Sequence, residues 1–356
     1  MTIELSPRAR AVRSAGTDRP TKAMIAGVAH HMAEQVMTSL EIEERVRASS
    51  PNLNFELKPG TIERLTGVHS RRVARLDQNT SDFAAVAARK VLDDTGTDPA
   101  DIDLLIFSSS CHDISEPATV HIVQALLGTN ANVFDLKNAC NSFLSAIHVA
   151  EAFLAAGTYK NVLICTGECP TRAIRWEVEG EAQWRSSFPG YTVGDGGAAM
   201  LLRPATDERG IWFTHFGADS EKWPVMMVPG GGSRHGHDMD KLYFEGDGGA
   251  LRRAVEEIGA RVMPEAFIAS GVTFDDFDAV CIHQVSVAGL DIAIEFSGIG
   301  PERWMRSVPQ YGNISSVTLP LQLDTAIQQG TVGAGSNVLM IGLAAGVSMG
   351  VMMVTL

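Results

Sequence analysis

Three stretches of the chain recur in the same order about 175 residues apart, and a repeat of that length restricts the fold to one made of two related halves. Thr95-Gly-Thr-Asp-Pro-Ala-Asp101-Ile-Asp103-Leu-Leu-Ile-Phe is matched by Ser270-Gly-Val-Thr-Phe-Asp-Asp276-Phe-Asp278-Ala-Val-Cys-Ile. Ala156-Gly157 and Gln329-Gly330 each close a helical pattern, and Asn161-Val-Leu-Ile is matched by Asn337-Val-Leu-Met. With 356 residues there is enough chain for a substantial core in both copies. The halves are expected at 21–208 and 209–356, behind an arm at 1–20. Each alternates strand and helix, which predicts largely parallel sheets covered by helices.

The repeat also brings particular residues together. Cys140 ends Val133-Phe-Asp-Leu-Lys-Asn-Ala-Cys140, which reads as a strand, and the helical pattern Asn141-Ser-Phe-Leu-Ser-Ala-Ile-His-Val-Ala150 follows. At such a junction free N–H groups and the helix dipole favour a thiolate. The other reading of the residue is a buried, inert thiol. Asn313 occupies the corresponding place before a helix at 314–329, so two equivalent helices aim their N-termini at one centre. Cys281-Ile-His283-Gln284 delivers an imidazole to a strand's C-terminal end, where α/β sheets place chemistry. Taken singly, His283 reads as a core histidine and Asn313 as a helix cap.

Charge and composition exclude several classes. A net charge of −13 disfavours nucleic acid and anionic membranes as main partners. Cys111, Cys140, Cys165, Cys169 and Cys281 make an odd set, and residues 1–20 lack an apolar targeting core. Together these point to a reducing, cytoplasmic setting. Residues 338–356 carry no charge but are broken by glycines, so Ala344-Ala345-Gly346 is expected as a turn between buried strands rather than part of a membrane span. Gly194-Asp-Gly-Gly and Gly246-Asp-Gly-Gly lack the continuation of nucleotide loops and read as turns and close packing. His235-Gly-His237-Asp238 has no companion cluster, so no metal is expected. The four cysteines other than Cys140 read as core residues.

On these residues the chain resembles the thiolase superfamily, and within it β-ketoacyl-acyl carrier protein synthase III and its relatives. The resemblance is carried by Phe134-Asp-Leu136 through Cys140, Gly194-Asp-Gly-Gly-Ala-Ala199, His283-Gln284, Gly312-Asn-Ile-Ser-Ser316 and Ala345-Gly-Val-Ser-Met-Gly350. It implies a five-layered α-β-α-β-α sandwich of two related halves and a homodimer, a heterodimer with a paralogue being the variant. It also implies Claisen condensation of two acyl thioesters through acyl-Cys140. The substrates would be thioesters of coenzyme A or of acyl carrier protein, with no permanently bound cofactor. His283 and Asn313 would donate to the second thioester's carbonyl oxygen, and the backbone N–H groups of Cys140 and Gly346 would form the oxyanion hole.

Leu57-Lys-Pro-Gly-Thr-Ile-Glu-Arg-Leu-Thr66-Gly67-Val68-His-Ser-Arg71-Arg72 and Ser115-Glu116-Pro117-Ala-Thr119 look closer to the condensing enzymes of bacterial olefin and β-lactone biosynthesis. In that subfamily a glutamate at the position of Glu116 is a base acting across the dimer. Its alternative reading is a helix-start charge. Carrier-protein synthases commonly have arginines where this chain has Leu65 and Ala288, which argues against docking an acidic carrier. The segment from Arg172 to Tyr191 looks longer than theirs. Decarboxylative elongation with a malonyl-carrier protein and acyl transfer to a secondary-metabolite acceptor are the alternative activities. A catalytically silent subunit would have no need of the full Cys-His-Asn set.

Overall fold

The repeated acidic turns fold into the same structure twice. In residues 23–356, which the computed structural model describes, 3-10 turns at Pro99–Asp101 and Phe274–Asp276 each lead into a buried strand. Asp103 Oδ2 accepts from Asn161 N at 2.9 Å, and Asp278 Oδ2 accepts from Asn337 N at 2.8 Å. The amide of Asn161 donates to Asp101 O, and that of Asn337 to Asp276 O. The repeat therefore extends to individual hydrogen bonds. The expected arm at 1–20 lies outside the described residues.

The strands are β1 (Ala23–Met32), β2 (Gln35–Thr38), β3 (Ser70–Val73), β4 (Leu104–Ser108), β5 (Asn132–Leu136), β6 (Val162–Glu168), β7 (Gly196–Pro204), β8 (Gly210–Ala218), β9 (Met226–Met227), β10 (Glu245–Gly246), β11 (Ala279–Ile282), β12 (Asn337–Ala344) and β13 (Ser348–Thr355). The longer helices are α1 (Ser39–Ser49), α2 (Thr80–Thr95), α3 (Val120–Leu127), α4 (Ser142–Ala155), α5 (Gly248–Ser270), α6 (Val287–Ser297) and α7 (Thr318–Gln328). One sheet has the order β1-β7-β6-β4-β5, and the other β8-β13-β12-β11 repeats that order without the fifth strand.

The expectation of largely parallel sheets needs correction. Only β4 with β5 and β6, and β11 with β12, run parallel; β6–β7, β7–β1, β12–β13 and β13–β8 are antiparallel. Three residues join β12 to β13, and so short a connection can only make a hairpin. The turn expected at Ala344-Ala345-Gly346 is this one, and no helix among the described residues is long and apolar enough to cross a membrane.

Helices α4 and α7 lie between the sheets. Phe143, Leu144 and Ile147 of α4 share one cluster with Leu319 and Leu323 of α7, Leu104 and Ile106 of β4, and Met340 of β12. The alternate residues Leu105 and Phe107 face the outer helix α2, so β4 is buried on both faces and reads as one apolar run. Helix α5 covers the second sheet through Ile258, Val262 and Ala266. These are the five layers, helix, sheet, helix, sheet, helix. The segment from Arg172 to Tyr191 forms the short helix Glu181–Ser187 and packs Trp184 and Tyr191 against α1 and Leu57.

Candidate active site

The strand before Cys140 ends at Leu136, four residues earlier than the sequence pattern runs. The chain turns through Lys137, Asn138 and Ala139, then enters α4 with Asn141 as its N-cap residue. Ala139 has φ +47°, and Ser315 has φ +49°; these are the two non-glycine residues with positive φ among those described. Left-handed backbone at residues bearing a Cβ persists only where the surroundings enforce it. Both residues stand beside Cys140.

Ser315 joins the sequence-derived set. Its side chain lies beside the Cys140 thiol and its backbone beside His283. Its N–H donates to Asn313 Oδ1 at 3.0 Å. That bond fixes the amide, because only the oxygen can accept from an N–H, and it leaves the two N–H groups of Asn313 Nδ2 free of this contact. Cys140, His283 and Asn313, drawn from three elements in two halves, thus meet around one serine. A 3-10 turn at Ser315–Val317 continues into α7, so the expected helix at 314–329 begins as this tighter turn.

His283 lies one residue past β11, and its N–H donates to Ile341 O at 2.9 Å. Burial lowers its pKa to about 4, so the ring is neutral at physiological pH. Thr318 Oγ1 lies 3.2 Å from His283 Nδ1 and 2.9 Å from Ser315 O, which can only accept. The one hydroxyl proton serves either partner. Given to Ser315, it leaves Nδ1 as the ring's N–H; given to Nδ1, it makes Nε2–H the donor into the site. Gln284 is structural: its side chain accepts from Ser307 N and Val308 N and donates to Met305 O.

The expectation of a thiolate at rest needs correction. Burial pushes the Cys140 thiol up to about 11, the contact with Ser315 partly opposes that shift, and the charge of Glu168 adds to it. Desolvation and a nearby carboxylate outweigh the start of the helix, so the free site holds a thiol. Sequence reading missed Glu168. It ends β6, is fully buried, and accepts from Ser110 N at 2.9 Å, Ser110 Oγ at 2.6 Å and Ser316 Oγ at 2.5 Å. The available signal was a carboxylate closing the apolar run Val162-Leu-Ile-Cys.

Gly346 occupies the β12–β13 turn with φ +127°, a conformation that glycine adopts without a Cβ penalty. Glu116 stands apart from the other four residues. It is exposed, with no hydrogen bond or ion pair among the described residues. Its reading as a helix-start charge is not what the structure contains: Asp135 accepts from Thr119 N and Val120 N, both at 2.9 Å, and so caps α3. Beside it a cavity of about 300 Å³ is lined by Cys111, His112, Ser115, Ala118 and Lys137. The Gly-Asp-Gly-Gly motifs are structural. Asp195 ties Ala74 N and Thr171 N together, and Asp247 caps α5. Asp238 of the His235–Asp238 run caps a 3-10 turn.

Comparison with known proteins agrees with this geometry. Residues 134–220 match the family model of 3-oxoacyl-[acyl-carrier-protein] synthase III, and residues 268–356 match that of its C-terminal part. The β-ketoacyl-[acyl-carrier-protein] synthase III of Symbiobacterium thermophilum is 30% identical over 336 residues, covering 92% of this chain and 96% of that protein. The enzyme of the same name from Clostridium perfringens is 29% identical over 300 residues, or 82% of this chain and 89% of that protein. Among solved structures, a cysteine-to-serine variant of Xanthomonas campestris OleA with bound lauric acid and lauroyl-CoA superposes with a TM-score of 0.86. It is 25% identical and covers 95% of this chain and all of that one (100%). A glutamate-to-glutamine variant of OleA superposes at 0.85, with 25% identity over 95% of this chain and 97% of that one.

Proposed function

The chain belongs to the β-ketoacyl-[acyl-carrier-protein] synthase III family of the thiolase superfamily, and we propose that it joins two acyl-coenzyme A thioesters without a malonyl donor. It is an acyl-transferring, Claisen-condensing ketosynthase. The observation that carries the assignment of roles is the meeting of Cys140, His283 and Asn313 around Ser315.

In the first half-reaction Cys140 Sγ attacks the first thioester. The tetrahedral oxyanion is held by the backbone N–H groups of Cys140 and Gly346, and coenzyme A leaves as its thiol. In the second, the α-carbon of another thioester loses a proton. Its enolate oxygen accepts from Asn313 Nδ2 and from Nε2–H of neutral His283, and the carbanion attacks the acyl-Cys140 carbonyl. The Cys140 thiolate is expelled and a β-keto thioester results.

Glu116 is the base for the α-proton, acting in the partner's site of a homodimer. Three observations support this. Its carboxylate has no partner among the described residues of its own chain, and its loop is tied through Thr119 to Asp135 on β5. That strand is the edge of its sheet, where another chain can pair. Leu65 and Ala288 favour coenzyme A over a carrier protein as donor. Gly67, two residues after Leu65, packs directly on Val287, the residue before Ala288. Five free thiols suit a cytoplasmic enzyme.

The test is incubation of the protein with one long-chain acyl-CoA and no malonyl donor, following free coenzyme A and product mass. A β-keto product is expected, and Glu116→Ala should abolish it while leaving acyl-Cys140 formation intact. Release of one coenzyme A per Cys140 with no condensed product would overturn the non-decarboxylative reading. Undiminished turnover in Glu116→Ala would remove that residue from the mechanism.

A further inference from the structure

We propose that Glu168 is a positioning residue for the condensation step: with Ser110 and Ser316 it clamps the turn at Ser315, whose N–H aims the Asn313 amide at the enolate. The inference rests on Asn313 as an enolate donor, as read above, and says what orients it.

Asn313 is held at two levels. Its backbone is fixed by two bonds, from Asn313 N to Thr192 O at 2.8 Å and from Gly194 N to Asn313 O at 3.1 Å. The strips are in close contact, since a Cβ on Gly312 would lie 2.2 Å from Thr192 O and one on Gly194 2.3 Å from Tyr311 O. The freedom that remains is in the side chain, where an amide can turn either its oxygen or its nitrogen toward the site. The Ser315 N–H, donating to Asn313 Oδ1 at 3.0 Å, makes that choice. Turned the other way, Asn313 would set an oxygen against the enolate oxygen.

The N–H reaches Asn313 with Ser315 in the left-handed region, at φ +49°. Relaxation to an ordinary helical φ would swing that N–H by about 110° relative to the serine's own side chain. A residue with a Cβ keeps such a backbone only where its surroundings enforce it. Two contacts from the first half do so here. Ser315 Oγ lies 3.0 Å from Ser110 Oγ, and Ser316 Oγ donates to Glu168 Oε1 at 2.5 Å. Glu168 also accepts from Ser110 N at 2.9 Å and from Ser110 Oγ at 2.6 Å. One carboxylate therefore fixes both serines that hold the turn.

The placement of these groups suits a clamp. Ser110 follows β4, Glu168 ends β6, and Ser315 and Ser316 lead into α7, so the contacts close one half on the other. Glu168 is fully buried and Ser316 nearly so. Burying a carboxylate is costly unless it is hydrogen-bonded, and the donors that offset the cost are the groups beside Ser315. Ser316 Oγ is also 2.5 Å from Thr166 Oγ1 on β6, which holds its hydroxyl on the line to Glu168.

Kinetics of the full chain with one long-chain acyl-CoA test the clamp, the burst of coenzyme A reporting acyl-Cys140 formation and the β-keto product reporting condensation. Ser316→Ala should slow condensation about tenfold and leave the burst within about twofold of wild type. Glu168→Gln should slow condensation similarly without slowing the burst. Asn313→Ala should cost about 10²–10³-fold by itself. In that background Ser316→Ala should change the rate by less than about twofold, because the group it orients is gone. A tenfold loss that persists without Asn313 overturns the proposal, as does unchanged condensation in Ser316→Ala. Should either clamp variant fail to fold, the other takes its place in the cycle. Amide hydrogen exchange of a peptide spanning residues 313–317 is the readout that needs no turnover. It should quicken about tenfold in Ser316→Ala, and unchanged exchange overturns the clamp. If the wild-type protein makes no condensed product, the reading of function falls, and exchange alone then decides whether Glu168 and Ser316 hold the turn.

Discussion

Cys140 is a strong nucleophile only once its proton has gone. With its pKa raised to about 11, the thiol form dominates at every physiological pH. Alkylation of Cys140 by iodoacetamide should therefore rise about tenfold per pH unit until it levels near that value, as followed by peptide mass. A plateau at or below neutrality would mean that the start of the helix, not burial, governs the thiol. His283 is shifted in the opposite sense by the same burial, which keeps its ring neutral and leaves Thr318 to decide which nitrogen bears the hydrogen. Thr318→Val removes the hydroxyl partner of Nδ1, so nothing holds the tautomer that presents Nε2–H to an enolate. Condensation should slow by about 2.7–4 kcal/mol of barrier while acyl-Cys140 still forms, and Thr318→Ser should recover it. Single-turnover assays separate the two steps.

Helix α4 is held in place by the strand beneath its first turn. Asn141, its N-cap residue, is fully buried, and its side-chain nitrogen and oxygen have no hydrogen-bond partner among the described residues. A Cβ built on Gly342 of β12 would lie 1.9 Å from Asn141 Oδ1 and 3.1 Å from Leu144 Cδ2. Gly342→Ala should therefore push the residue next to Cys140 and cost about 1–3 kcal/mol of stability, measured by denaturant unfolding. Adding Asn141→Ala should recover most of that loss, because the space it vacates admits the methyl. If the double variant is no more stable than Gly342→Ala, the contact with Leu144 rather than Asn141 sets the cost. The same logic explains why β12 reads Met-Ile-Gly-Leu: one face of the strand lies against the helix that begins beside Cys140.

Across the whole molecule, two halves with matching strand order place two buried helices between two sheets, and the site lies where those helices begin. Glu116 is the residue this arrangement leaves outside. If it serves the partner's site, a mixture of Cys140→Ala and Glu116→Ala chains should regain activity that neither has alone. Random pairing makes half the dimers mixed, each with one complete site, so about a quarter of wild-type turnover is expected after refolding the mixture. A mixture as inactive as its components would place Glu116 in its own chain's site or outside the mechanism.

The sequence by itself determined the duplication, the turn between the two C-terminal strands, and the candidacy of Cys140, His283 and Asn313. These are legible because a repeat preserves order, and because a strand or helix boundary is written in local residue chemistry. Strand direction beyond β4, β5 and β11 was not legible, since an apolar strand reads the same whether it runs parallel or antiparallel. Nor could the sequence supply Ser315, Ser110, Glu168 and Thr318 as the surroundings of the sulfur and the imidazole. Ser110 and Ser315 are 205 residues apart, and Glu168 and Ser316 are 148 apart. Only the closure of one half upon the other brings such pairs within hydrogen-bonding distance. That closure also desolvates the half-buried Cys140 thiol, and desolvation is the physical reason why its pKa is raised despite a helical setting that favours a thiolate.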